Sequence, residues 1–158
     1  YWRFNRRRLD LEQMRDTMLA VSGLLDNTMY GRPPSISDES NNRRTIYSFV
    51  ERQNLPTIIQ VFDAANADSS TSKRPTTTVP QQALFALNSP FMSRISAALA
   101  SRIDNDDKTQ QVSQLYEYVL GRRPNESEMT LGITFLQTNE LRDYAQALLI
   151  SNEAWFID

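Results

Sequence analysis

The sequence has no cysteine and no histidine among its 158 residues. These absences exclude Cys/His zinc sites, thiol nucleophiles, covalent attachment of c-type haem and any Ser-His-Asp machinery supplied by this chain alone. With no cysteines to read, the redox compartment leaves no mark. Glycine is scarce, at 4 residues, which favours helices over a turn-rich β-sandwich. No run approaches the roughly 18 apolar residues that a membrane-spanning helix needs. Neither an initiator methionine nor a signal peptide opens the chain. The simplest reading is a piece of a larger protein whose targeting information lies upstream.

What is present suits one folded domain. Apolar residues make up 40% and charged residues 23%, outside the disordered class. A chain of this length buries roughly two thirds of its unfolded surface, enough for a core. The net charge of −2 does not point to nucleic acid, but its distribution is uneven. Residues 1–8 carry +4, which leaves −6 for the remainder. The 17 basic residues include only two lysines, Lys73 and Lys108, and arginine is the better residue for fixed, forked pairing with carboxylates.

Hydrophobic periodicity predicts helices. Leu11, Met14, Met18, Val21 and Leu25 form one apolar stripe on a helix over about 9–23, with Asp10 at its start and Gly23 ending it in a left-handed turn. Pro56 opens a short helix to about 64 that turns Ile58, Ile59 and Phe62 inward. Pro80 opens another, to about 88. Ser89 caps a further helix from Pro90 to about 103. Val112, Leu115, Tyr116, Val119 and Leu120 share a face ended by Gly121. Asn125 and Glu128 have the spacing of a capping box for a helix to about 137. Leu141, Tyr144, Ala145, Leu148 and Leu149 mark the last long helix, and Trp155 to Ile157 pack the tail back on the core. Two polar stretches, about 26–42 and 64–78, read as mobile connectors. Residues 44–50 are β-branched and aromatic, and both a short strand and a short helix stay open.

Several ordered blocks resemble one family. They are Trp2 to Leu9, Met14 to Asp16, Ala20 to Gly23, Arg43 to Tyr47, Arg52 to Pro56, Phe62-Asp63, Arg74 to Leu84, Asn88 to Phe91, Leu120 to Pro124 and Ser151 to Glu153. Together they resemble the C-terminal domain of large planctomycete-type cytochrome-associated proteins, a domain family of unknown function. The resemblance runs the length of the chain. It implies an exported multidomain parent, periplasmic or at the cell surface, with another domain upstream and often a c-type cytochrome domain. This chain itself needs no cofactor on that view, and any haem would sit elsewhere in the parent.

Four groups of residues invite a chemical reading. Lys73, Arg74, Thr77 and Thr78 precede a helix N-terminus, where free N–H groups favour an anion or acidic glycan; equally, Thr78 caps the helix and Arg74 pairs with an acid. Tyr47, Arg52, Asp63, Gln81 and Gln82 fall within or beside the resembling blocks, as a pocket lining or as a buried polar network. The arginine-rich start, with Trp2 and Phe4, could stack on bases, but the acidic chain has no nucleic-acid motif; the arginines instead pair with acids, including Arg8 with Glu12 one turn on. Asp104 to Asp107 lacks the spacing of a calcium loop and reads as a solvated cap. Glycoside hydrolysis needs only two carboxylates at a fixed separation, and Asp63 with Glu51 or Asp68 is the pair to examine.

The sequence thus predicts a single all-α domain of five to seven helices, with room for one short strand or hairpin. The functional expectation is a non-catalytic binding or structural module of an exported multidomain protein, with the parent's other domains or a polysaccharide as partner. The alternatives are a carboxylate-dependent enzyme acting on carbohydrate and a docking module for a c-type cytochrome domain. Nucleic acid and a membrane span are not expected.

Overall fold

A computed structural model describes residues 6–51, 53–64, 70, 72, 74, 77 and 79–157. Among these, eight α-helices follow in order: α1 (Leu11–Val21), α2 (Thr57–Val61), α3 (Pro80–Asn88), α4 (Pro90–Ser101), α5 (Lys108–Leu120), α6 (Glu126–Phe135), α7 (Leu141–Leu149) and α8 (Asn152–Trp155). A 3-10 turn, Thr45–Tyr47, lies between α1 and α2. Two short strands, β1 (Arg7–Arg8) and β2 (Phe156–Ile157), pair antiparallel, with Arg7 opposite Ile157 and Arg8 opposite Phe156. The architecture is the expected all-α one with a trace of β-structure, but with eight helices where the sequence predicts five to seven, because the short turn at Asn152–Trp155 is helical as well. No described helix is long and apolar enough to cross a membrane.

The helix boundaries follow from local chemistry. Ser89 Oγ accepts from the Met92 N–H at 3.2 Å, and Pro90 follows at the first helical position, so α3 and α4 meet at a sharp joint. Asp107 caps α5 by accepting from Thr109 N at 3.0 Å. Asn125 accepts from Glu128 N at 2.9 Å while Glu128 accepts from Asn125 N at 2.8 Å, completing the capping box of α6. Gly23 and Gly121 end α1 and α5 at φ 76° and 67°, where a side chain would be strained.

The core lies where α4, α5 and α7 meet, with α7 packed most extensively on α4. Leu19, Ile95, Leu99, Val112, Leu115 and Ala145 are fully buried, and each leucine or isoleucine there contributes about 1.5–3 kcal/mol of transfer free energy. The tail returns to this core as the sequence suggests. Trp155 donates from its indole N–H to Leu149 O at 2.7 Å and packs 5.9 Å from Phe62, which meets Phe85 edge-on at 5.3 Å. Residues 44–50 resolve to the 3-10 turn followed by an isolated bridge between Ser35 and Phe49.

Candidate functional site

One wide cleft, about 790 Å³, opens beside the N-terminal half of α1. Its floor and lips carry Leu11, Ile36, Ile46, Val50 and Ile59, and its walls carry Asp10, Glu12, Asp16, Arg44 and Arg74. The 3-10 turn forms one lip, and a buried arginine holds it there. Arg15, only 2% exposed, reaches from α1 under the turn. Its guanidinium donates to Arg43 O at 2.9 Å, to Thr45 Oγ1 at 3.2 Å and to Asn41 O. The next residue, Asp16, accepts from Thr45 N and Oγ1, both at 2.7 Å. Consecutive residues of one helix therefore clamp the start of the turn from both sides. Burial pushes the Arg15 guanidinium down, partly offset by Asp16; it stays a cation because arginine is not deprotonated in proteins.

The charged groups of the cleft are largely paired within the chain. Arg74 Nη1 donates to both oxygens of Glu12, at 2.9 and 2.7 Å. Half-burial works to raise the Glu12 carboxyl, but the hydrogen bond and charge of Arg74 outweigh it, and the group sits below the ordinary carboxylate range. Both side chains are about a third exposed, at 36% and 35%, so the pair fixes position more than it stabilises, at about 1 kcal/mol or less. Arg44 lies 3.7 Å from Asp16.

The connector end beside the cleft is tied by a second network. Asp63, in the left-handed region at φ 55°, accepts from Thr77 N at 2.8 Å and from Thr77 Oγ1 at 2.7 Å. Buried Gln82 donates to Val61 O at 2.9 Å and Thr77 O at 3.2 Å, and Arg8 also donates to Thr77 O. Thr77 thus joins β1, α2 and α3.

The residues singled out by sequence scatter over these two networks. Asp63 and Gln82 come together, but Gln81 faces solvent and Tyr47 lies elsewhere, with Arg43 5.1 Å above its ring. Arg52, Lys73, Thr78 and Asp68 lie outside the described residues. Among the four proposed anion ligands, Arg74 is held by Glu12, and the N–H and hydroxyl of Thr77 are both engaged by Asp63. Val79 occupies the cap position of α3 and offers no side-chain bond. Arg8 does not pair with Glu12: β1 turns it toward Thr77 and the Phe62 ring, leaving Glu12 to Arg74. Asp63 has both oxygens on Thr77, and Glu51 is exposed. Among the described residues, the carboxyls that are shifted, Glu12, Asp26, Asp38, Glu128 and Glu153, all sit below their ordinary pKa. That is opposite to what a general acid requires.

Sequence reasoning missed Glu12, Arg15, Asp16, Thr45, Ile46 and Val50 as members of one site. Four of them, Arg15, Asp16, Thr45 and Ile46, fall in the blocks Met14 to Asp16 and Arg43 to Tyr47, but nothing local shows that the two blocks meet. A further cluster surfaces at the far end of the chain. Arg122 binds Glu128 through Nη1 and Nη2 at 2.8 and 2.7 Å and Glu153 through Nε and Nη2 at 2.5 and 2.8 Å, while lying 5.2 Å above the Tyr116 ring. It fastens α8 to the start of α6 and needs no ligand to do so.

The family model described as PSD1, a protein of unknown function (DUF1553), matches residues 1–136. No curated protein and no solved structure matches the chain. With most of its length matched, from β1 through α6, the chain belongs to the PSD1 (DUF1553) family of unknown function.

Proposed function

We propose that this domain is a non-catalytic docking module that receives an apolar segment of another polypeptide in the cleft beside α1. The observation that carries the reading is the lip of the cleft. Ile46, on the turn held in place by Arg15 and Asp16, is 72% exposed, and Val50, three residues beyond the turn, is 42% exposed. A partner that covers these side chains gains roughly 25 cal/mol per Å² of apolar surface, and exposed apolar patches rimmed by charge commonly mark interaction sites. An anion or acidic glycan gains less. It would have to compete with Glu12 for Arg74 and with Asp63 for Thr77. The same networks weigh against carboxylate catalysis, since Asp63 is engaged and Glu51 stands in solvent.

The partner in this reading is another domain of the parent protein. The resembling blocks imply a planctomycete-type, exported, multidomain parent. A neighbouring c-type cytochrome domain is one occupant with the required character, and its haem would belong to that domain, because this chain has no cysteine to attach one. The test is binding of the domain to the remainder of its parent, measured by calorimetry. Ile46→Asp should weaken binding at least about tenfold. Leu131→Asp, at a position equally open (69% exposed) but away from the cleft, should leave it unchanged. Equal effects of the two substitutions would sink the proposal.

A further inference from the structure

A second surface, outside the lining of the cleft, is built into the turn at residues 28–32. Tyr30 and Gly31 both have positive φ, at 66° and 87°. Glycine takes this conformation freely and asparagine tolerates it, but an aromatic residue there is strained. The turn is nevertheless firmly braced. Arg43 donates to Thr28 O at 2.9 Å, to Tyr30 O at 2.7 Å and to Arg32 O at 3.4 Å, wrapping the backbone around one guanidinium. Asp26 accepts from Thr28 N at 2.8 Å and from its hydroxyl at 2.6 Å. The result of this bracing is outward display. Met29 is 57% exposed and Tyr30 is 82% exposed, and among the described residues the Tyr30 side chain meets no ring or hydrogen-bond partner. The backbone of Tyr30 is held by Arg43, but its side chain gains nothing within the described residues, and a strained residue displayed in this way points to a contact outside the chain. Tyrosine and arginine are enriched among the residues that anchor interfaces.

The chain also holds a receptor of matching chemistry. A pocket of about 220 Å³ lies between the start of α4 and the 36–39 segment. That is smaller than the roughly 300–1,000 Å³ of a small-molecule site and suited to one side chain. Ile36, Ile58, Phe85 and Phe91 give it apolar walls, and Asp38 and Glu39 give it an acidic rim. Arg15 and Ser89 also line it and offer N–H and O–H donors. Arg15 makes three hydrogen bonds from five N–H groups, so donors remain for a phenol oxygen. Tyr30 fits the walls, and Arg32, two residues on and exposed, fits the rim.

We infer that the occupant of this pocket is a second copy of the chain, which inserts Tyr30 between Phe85 and Phe91 and sets Arg32 against Asp38 and Glu39. Both halves of the contact are present on every molecule, and their charges are opposite. Reciprocal exchange closes a dimer, whereas one-way insertion builds a row of copies; either form carries the contact.

The experiment is sedimentation equilibrium of the domain at concentrations up to roughly 1 mM, where weak contacts still register. Wild type should self-associate. Tyr30→Asn should weaken association at least about tenfold, and it should fold at least as well, because asparagine suits the left-handed position. Thermal melts separate that outcome from unfolding. Arg32→Glu and Glu39→Arg should each weaken association, and the double reversal should restore it. A monomer throughout, an unchanged Tyr30→Asn variant, or a double reversal no better than either single change would overturn the inference. A different protein as the true occupant would give the first of these results.

Discussion

Replacing Arg15 with methionine keeps the aliphatic stem that packs in α1 and removes the guanidinium. Three acceptors then lose a donor: Asn41 O, Arg43 O and Thr45 Oγ1. The hydroxyl keeps Asp16, so two backbone carbonyls are orphaned, that of Asn41 buried and that of Arg43 partly so. An orphaned buried acceptor costs about 1–3 kcal/mol. Against this, the mutant no longer desolvates a cation, and replacing buried ions by apolar groups is sometimes neutral or better. Arg15 has no direct carboxylate partner among the described residues, however, and two of its bonds run to neutral carbonyls whose own need persists. The expected net loss is about 2–4 kcal/mol, which for a domain of this size lowers the melting point by roughly 4–16 °C. Arg15→Lys should not rescue it, since one ammonium cannot fork to carbonyls of two different residues and a hydroxyl. Urea titration gives the magnitude, and hydrogen exchange at residues 41–48 gives the location. A melting point within a degree of wild type, with unchanged exchange at those amides, would refute the idea that Arg15 builds the lip of the cleft.

Two further substitutions probe the packing and the pH response. Gly132→Ala in α6 would ordinarily gain about 1 kcal/mol of helix propensity. Here the added Cβ would stand 2.7 Å from the Tyr144 hydroxyl and 2.8 Å from Val112, so chemical denaturation should show a loss of about 1–3 kcal/mol from overpacking. The Arg122 guanidinium, aided by the Asn125 N–H, holds the Glu128 carboxyl down to about 2 from its ordinary 4.5. A depressed carboxylate contributes stability that is complete above the ordinary value and is lost as pH falls from about 4.5 toward 2. Arg122 is 37% exposed, so solvent screening reduces the contribution to about 1 kcal/mol. Melts between pH 2 and 6 should show wild type above Glu128→Gln at the upper end and the two converging near pH 2. A difference that persists there would mean that the ion pair is not the cause.

The parts of this fold legible in the sequence are those set by near neighbours. Ser89-Pro90, the Asn125/Glu128 box and Gly121 each act within one helical turn, so their residue types announce them. The apolar stripes of α1, α5 and α7 need only the helical period. What the sequence conceals is pairing across distance. Glu12 lies one turn from Arg8 but is bound by Arg74, 62 positions away, because β1 rotates Arg8 toward Thr77. Nothing near Arg7 or Phe156 signals that these ends form a strand pair. Arg15 sits among Met14, Met18 and Leu19, where an arginine reads as an interruption of the stripe, although it is the residue that joins α1 to the turn. The candidate site was therefore legible only as separate blocks. Thr77, which connects Asp63 and Gln82, reads in the sequence as a member of a separate anion site, and the exposed Ile46 reads as part of an undecided strand or helix.

The most direct test of the docking role compares hydrogen exchange in the isolated domain and in the full parent protein. If the cleft receives another domain, the amides of residues 44–50 and the start of α1 should exchange at least about tenfold more slowly in the full protein, and Ile46→Asp should abolish the difference. Identical exchange in the two contexts would contradict the account.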